Sequence, residues 1–247
     1  HYTVKYELYD SEGTKIIEDN VPLSFIPITK ASAPIDPSAW NGDMSDWYDA
    51  YPIYRSYVDD PNDPDQYIGA NMAIRIMKKW DNKHLYILAD VYDADHSSMN
   101  TGSNLWDGDC VQISLDPENN GSITTGASER YLDDDFEMGF ALTGAGEEFH
   151  QWRGPNKNPS GKVEWAKIIR NSDTRCTRYL IALAADKFNL KLGEGNVIAF
   201  NVAVNEADAL GREFFYQITK GTADSKTPEW YYDYKLVPAT EKPYESS

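Results

Sequence analysis

Four acidic runs concentrate the residues best able to do chemistry in this chain. "VDDPNDPDQ" holds Asp59, Asp60, Asp63 and Asp65, and "YDADH" holds Asp93 and Asp95. "LDPENN" holds Asp116 and Glu118, and "LDDDFE" holds Asp133, Asp134, Asp135 and Glu137. Hard oxygen ligands gathered in loops are what calcium needs, since it takes about six to eight oxygens in loose geometry. None of the runs follows the helix–loop–helix calcium pattern. Asp and Asn also form ordinary solvated turns. A crowded set of carboxylates, however, repels itself without a cation. In a chain this acidic that tips the reading towards calcium.

Catalytic patterns are scarcer. Glycoside hydrolysis needs two carboxylates facing each other across a bond, but so many acids select no pair. A nucleophilic triad needs a histidine oriented by a carboxylate. His1, His84, His96 and His150 sit in no such motif, and neither "GxSxG" nor "HExxH" occurs. The chain is therefore not expected to be an enzyme. His96 and Met99, close together in one stretch, are the nearest approach to a haem ligand pair. Met77 and Met138 read as strand packing.

The aromatics are the other resource, with seven Trp and seventeen Tyr. In "SNLWDGDCVQISLDP", Trp106 stands at the mouth of an alternating segment. It is either a buried anchor or a flat apolar plate facing outward. Trp152 in "EEFHQWRGPN" and Trp230 in "TPEWYYD" also occupy polar surroundings. Trp40, Trp47 and Trp80 read as sheet-corner anchors and Trp165 as core or partly exposed strand. Binding sites combine such apolar surfaces with a few well-placed polar groups, and the C–H faces of sugar rings suit an indole.

The elements that must position these residues are strands. Alternating or β-branched segments recur between Gly, Asn, Asp and Pro: "NMAIRIMKKW", "HLYILADVY", "DCVQISLD", "FEMGFALTG", "KVEWAKII", "RYLIALAA", "NVIAFNVAVNE", "REFFYQIT" and "YDYKLV". "YTVKYELY" and "TKIIE" flank a turn at Gly13, and "DNK" closes a second hairpin after Trp80. "ADKFNLKL" is expected to be a short helix. Without strand–helix alternation, a parallel α/β fold is not expected. The expectation is an all-β chain: an antiparallel β-sandwich, jelly-roll-like, with long acidic loops. The proline-rich stretch through Pro27 sets a soft boundary. Residues 1–27 then form an N-terminal hairpin and linker, 28–238 the sandwich and 239–247 a tail.

With 23 basic against 40 acidic residues, a net charge of −17, the chain repels nucleic acid and anionic membranes. Neutral ligands and divalent cations remain. No apolar run reaches the ~20 residues that span a bilayer. Cys110 and Cys176 could pair or stay as small buried thiols.

Six segments in order resemble the family 9 carbohydrate-binding modules, relatives of the DOMON haem and sugar binders. They are "APIDPSAWNGDMSDW", "KKWDNKHLYILADVYDAD", "LWDGDCVQISLDP", "YLDDDFEMGFAL", "TRYLIALAADKFNL" leading into "GNVIAFNVAVNEADALGRE", and "KTPEWYYDYKLV". The resemblance implies a calcium-stabilised sandwich that is non-catalytic, extracellular and tethered to a polysaccharide-degrading enzyme in a longer chain, or part of a surface protein. Its ligand is then a polysaccharide or oligosaccharide, taken from the chain's charge to be neutral. Trp106 matches the first of two tryptophans that grip a sugar chain, standing where the family has "W-x-x-D-S-V-E". The family's strand glutamate falls on Gln112, and its strand arginine and asparagine fall near Glu137 and Gly139. A later family glutamine falls on Ala203. Trp230, or else Trp152, supplies the second wall, and Asp93, Asp116, Asp133, Asp134 and Asp135 are the calcium ligands. Exchanging arginine for glutamate swaps a bidentate donor for an acceptor, so fold and first tryptophan carry over more directly than the ligand. A structural or adhesive module without a sugar site, and then a haem carrier, are the alternatives.

Overall fold

The structure, a computed structural model, describes residues 2–23, 25–57, 72–121, 131–155, 165–208 and 211–239. The acidic run from Asp59 to Asp65 lies outside the described residues. Strands β1 (Tyr2–Tyr9) and β2 (Lys15–Leu23) form their own antiparallel hairpin, turned at Gly13, whose φ of 82° favours glycine. Next come β3 (Ile26–Lys30), β4 (Ile53–Tyr57), β5 (Met72–Trp80) and β6 (His84–Tyr92). Then follow β7 (Cys110–Asp116), β8 (Phe136–Thr143), β9 (Gly146–Arg153), β10 (Ala166–Asn171) and β11 (Cys176–Ala184). The last are β12 (Val197–Asp208), β13 (Gly211–Gln217) and β14 (Tyr232–Val237).

Two layers face each other across one core. The first runs β10-β11-β6-β5 with β4 added to β5. The second runs β14-β12-β7-β8-β9 with β13 added to β12. Within each layer the pairing is antiparallel. The exception is the seam, where β3 pairs parallel with both β14 and β5 and joins the layers into one continuous sheet. Pro27, where the sequence sets a soft boundary, lies inside β3.

Alternation decides which side chains meet in the core. Ile74, Ile76, Leu85 and Ile87 from one layer pack on Ile113, Leu115, Phe140, Phe200 and Val202 from the other. Met138 joins them, and Met77 is buried beneath the 31–50 segment. That segment covers the outer face of the first layer, where Ala31, Trp47 and Ala50 pack on Tyr86, Leu88 and Leu180. On the same face Asp90 is buried between Arg75 and Arg178. Trp80 is 1% exposed, and its indole Nε1–H donates to Val237 O at 3.0 Å.

The helix expected in "ADKFNLKL" is a turn. Asn189 adopts φ 51°, which breaks any helix, so that Phe188 and Leu190 can both be buried. Among the described residues no α-helix occurs, only short 3-10 turns. Cys110 and Cys176 are both buried and unbonded. With one outer face covered, the opposite face of β7, β8 and β12 is left to build a site.

Candidate functional site

A groove of about 560 Å³ opens on that face. Its floor follows from strand alternation. In β7, Val111, Ile113 and Leu115 enter the core, which turns Gln112, Ser114 and Asp116 the other way. In β8, Phe136, Met138 and Phe140 enter the core, which leaves Glu137 and Gly139 beside Ser114 and Gln112.

Trp106 forms one wall. It sits in the 3-10 turn Gly102–Asp107, in which Leu105 is fully buried and Trp106 is 39% exposed. Leu105 is thus the anchor and Trp106 the displayed neighbour. The turn is pinned at both ends, since Gly102 N–H donates to Glu148 Oε1 at 2.7 Å and Asn100 Nδ2 to Asp107 O at 3.1 Å.

Trp152 forms another wall, half-buried, with Nε1–H donating to Ser103 O at 2.9 Å. Its ring lies over Gly139, where a Cβ would come within 2.4 Å of Cη2. Two register irregularities aim the groove's side chains. Glu137 pairs with Arg153 and Met138 with Gln151, so Trp152 is the extra residue of a bulge, and both Trp152 and Arg153 reach the groove. Likewise Glu206 pairs with Phe214 and Ala207 with Arg212, so Glu213 is extra and Arg212 turns to the same side as Phe215.

The floor is a continuous polar chain. Arg212 Nη1 donates to Asn205 Oδ1 at 3.3 Å, and Asn205 Nδ2 donates to Gln112 Oε1 at 3.0 Å. Gln112 Nε2 lies 3.5 Å from Glu137 Oε1, which also accepts from Lys226 Nζ. Glu137 is 2% exposed, and a carboxylate so buried needs such a partner. The Arg212 guanidinium lies 4.8 Å from the Trp106 ring centroid and 5.2 Å from that of Phe215. Burial holds its pKa below the usual arginine range, against the opposing pull of Cys110 and Asp107.

Of the residues expected from sequence, Trp106, Gln112, Glu137 and Trp152 line this one groove. Trp230 does not. It is 45% exposed in the 3-10 turn Pro228–Trp230, tied there by Thr219 Oγ1–H donating to Trp230 O at 2.8 Å. The preceding loop brings Ala223 and Lys226 to the groove instead. Sequence reasoning missed Arg153, Asn205, Arg212 and Lys226. Their only signal was adjacency, Arg153 following Trp152 and Asn205 standing two places after Ala203.

The acidic residues divide into two groups. Asp116, Asp134 and Asp135 each offer an oxygen within 4.8 Å of the others. Asp116 Oδ2 accepts from Gly121 N–H at 3.0 Å, and Asp135 Oδ2 from Leu132 N–H at 2.6 Å. Asp134 Oδ2 and Asp135 Oδ1 are buried without a hydrogen-bond partner. Burial first, and then Asp116, Asp134 and Glu229, push the Asp135 carboxyl up to about 7. Orphaned buried oxygens on converging carboxylates fit a hard cation.

Asp133 is exposed and outside this cluster, and Asp93 is remote from it. Asp93 belongs with Asp109, at the opposite end of the seven-residue β7 from Asp116, about 23 Å away at strand rise. Nearby, His96 has its Nε2 2.9 Å from Leu142 O and its Nδ1 3.2 Å from Asp109, while Met99 is 81% exposed. Both ring nitrogens thus face protein oxygens, and the two residues do not converge as axial ligands.

Fold and groove together define a β-sandwich with an aromatic-walled polar cleft on one outer face. Residues 47–236 match the family model described as carbohydrate family 9 binding domain-like, and the chain belongs to that family. A family 9 carbohydrate-binding module from Caldicellulosiruptor kristjanssonii, solved with cellotriose, is similar at TM-score 0.59 and 19% identity, over 91% of this chain and 99% of that one. The same description solved with glucose gives TM-score 0.59 and 19% identity, over 90% and 100%. A Bacteroides uniformis protein provisionally described as carbohydrate-binding gives TM-score 0.51 and 12% identity, over 86% and 98%. No curated protein matches the sequence.

Proposed function

We propose that this chain is a non-catalytic carbohydrate-binding module of a secreted polysaccharide-degrading enzyme or surface protein. The observation that carries the reading is the groove itself, with Trp106 and Trp152 as flat walls around a floor of side-chain amides and one ion pair. Such surfaces stack the C–H faces of a sugar ring while polar groups take its hydroxyls. Gln112 and Glu137 are the floor groups in reach. Family membership and relatives solved with cellotriose and glucose support the same class of ligand. Among the described residues Glu137 is the groove's one lining carboxylate, and it is matched by Lys226. Hydrolysis by a carboxylate pair needs a second. Structural calcium is assigned to Asp116, which ends β7, the strand that also supplies Gln112, together with Asp134 and Asp135 just before β8.

Titration calorimetry against neutral and acidic oligosaccharides tests the proposal, with Trp106→Ala beside the parent. Loss of one stacked face should weaken binding about ten-fold or more, about 1.4 kcal/mol, while the circular dichroism of the fold is kept. Unfolding by this substitution would show a buried anchor instead of a plate. Silence towards every glycan would leave a structural or adhesive module.

A further inference from the structure

The groove's charge runs against that of the chain. The whole sequence has 23 basic and 40 acidic residues, yet the groove is lined by Arg153, Arg212 and Lys226 against the single carboxylate of Glu137. Glu137 is committed to Lys226. Arg212 forms no ion pair among the described residues. Of its five side-chain N–H donors, one reaches Asn205. Asp107, the acid nearest in sequence to Trp106, accepts instead from the Arg212 backbone N–H at 3.1 Å. A half-buried guanidinium resting on two aromatic rings has lost hydration, and no carboxylate among the described residues forms an ion pair that replaces it. The pull of burial on its pKa accords with that.

We propose that the groove recognises an acidic sugar, a uronic acid residue of a polysaccharide, whose carboxylate is received by Arg212. This rests on the sugar-binding reading of the same groove. A guanidinium binds a carboxylate through two parallel N–H bonds. Arg212 stands beside Trp106, so a ring against that indole brings its carboxylate to the guanidinium. The floor argues for a monoanion bearing hydroxyls. Gln112 and Glu137 offer acceptors to hydroxyl groups, and Glu137 would repel a doubly charged phosphate ester more strongly than a singly charged carboxylate. The acidic remainder of the chain repels anionic sugars elsewhere on its surface, which makes the positive groove selective for position as well as charge.

The test compares oligogalacturonate with its methyl ester, and glucuronic acid-substituted xylo-oligosaccharides with plain ones, by calorimetry on the whole chain at low and high salt. The free acids should bind about ten-fold or more tightly than their uncharged counterparts, a margin that shrinks as salt screens it. Arg212→Gln should bring the acid down to the affinity of the ester, and Arg212→Lys, which keeps the charge and loses the fork, should recover part of the difference. The salt dependence of the parent protein decides the matter even if both variants misfold. Esters or neutral cello-oligosaccharides binding as well as the acids would overturn the inference and leave sugar binding standing. A sulfated glycan preferred over uronates would overturn it too. No binding to any sugar would remove both readings together.

Discussion

Gly139→Ala is the most direct probe of how the sheet builds the groove. The new methyl would lie 2.4 Å from Cη2, 2.8 Å from Cζ3 and 3.6 Å from Cζ2 of Trp152. Carbon atoms rest at about 3.5–4.0 Å, so the indole must retreat by about 1 Å or the strand must bend. The backbone raises no objection, because Gly139 is not in the left-handed region. The ring is the cheaper element to move, since Trp152 is half-buried with open groove on one side, whereas β8 is paired on both edges. Moving it strains the Nε1–H bond to Ser103 O and with it the turn that displays Trp106. Overpacking of this kind costs about 1–3 kcal/mol, and each kcal/mol lowers Tm by about 2–4 °C in a domain of this size. Sugar affinity should fall about ten-fold through the displaced wall, with a change in tryptophan emission. In a Trp152→Ala background the same methyl loses every contact shorter than 3.6 Å, so the stability penalty should vanish, a coupling that a double-mutant cycle reads directly. A penalty unchanged in that background would refute the reasoning and place the strain in the backbone.

Two further perturbations concern the acidic groups. Glu206 is 9% exposed, and burial first, then Asp93 and Asp109, lift its carboxyl to about 7. Its folded pKa exceeds the unfolded one, so its stabilising share is complete at low pH and lost as pH rises through about 7. Glu206→Gln should therefore raise Tm near pH 8 and flatten the pH profile, with Asp93, held at about 6, keeping part of the slope. A lower Tm at pH 8 would contradict this. Chelation of the parent should lower Tm, because a cation at about 100 times its Kd stabilises by about 2.7 kcal/mol. Asp135→Asn should leave Tm unaffected by calcium or chelator, since it removes both a ligand and the repulsion the cation relieves. A calcium response surviving in Asp135→Asn would exclude the cluster as the site.

Alternation along "DCVQISLD" and "FEMGFALTG" was enough to name β7 and β8, while Gln112 and Glu137 entered through the family resemblance and the structure set them on the face opposite Ile113 and Phe140. That Leu105 is buried beside the displayed Trp106 came only from the geometry of the turn. β9 was not legible, because "GEEFHQWR" alternates weakly and carries the bulge that re-aims Trp152. β4 was missed as well.

What the sequence determined by itself was the all-β class, the hairpins at Gly13 and Asp81, and the residue types able to face a ligand. These depend on local periodicity and turn chemistry, which a linear chain displays. Only the tertiary structure decided that Arg212 and Lys226 join Glu137, that Trp152 and not Trp230 walls the groove, and that Asp93 stands apart from Asp116. Each depends on a register shift, a loop path or the length of a strand between two ends. Such quantities arise from pairing between segments far apart in the chain, and no local pattern encodes them.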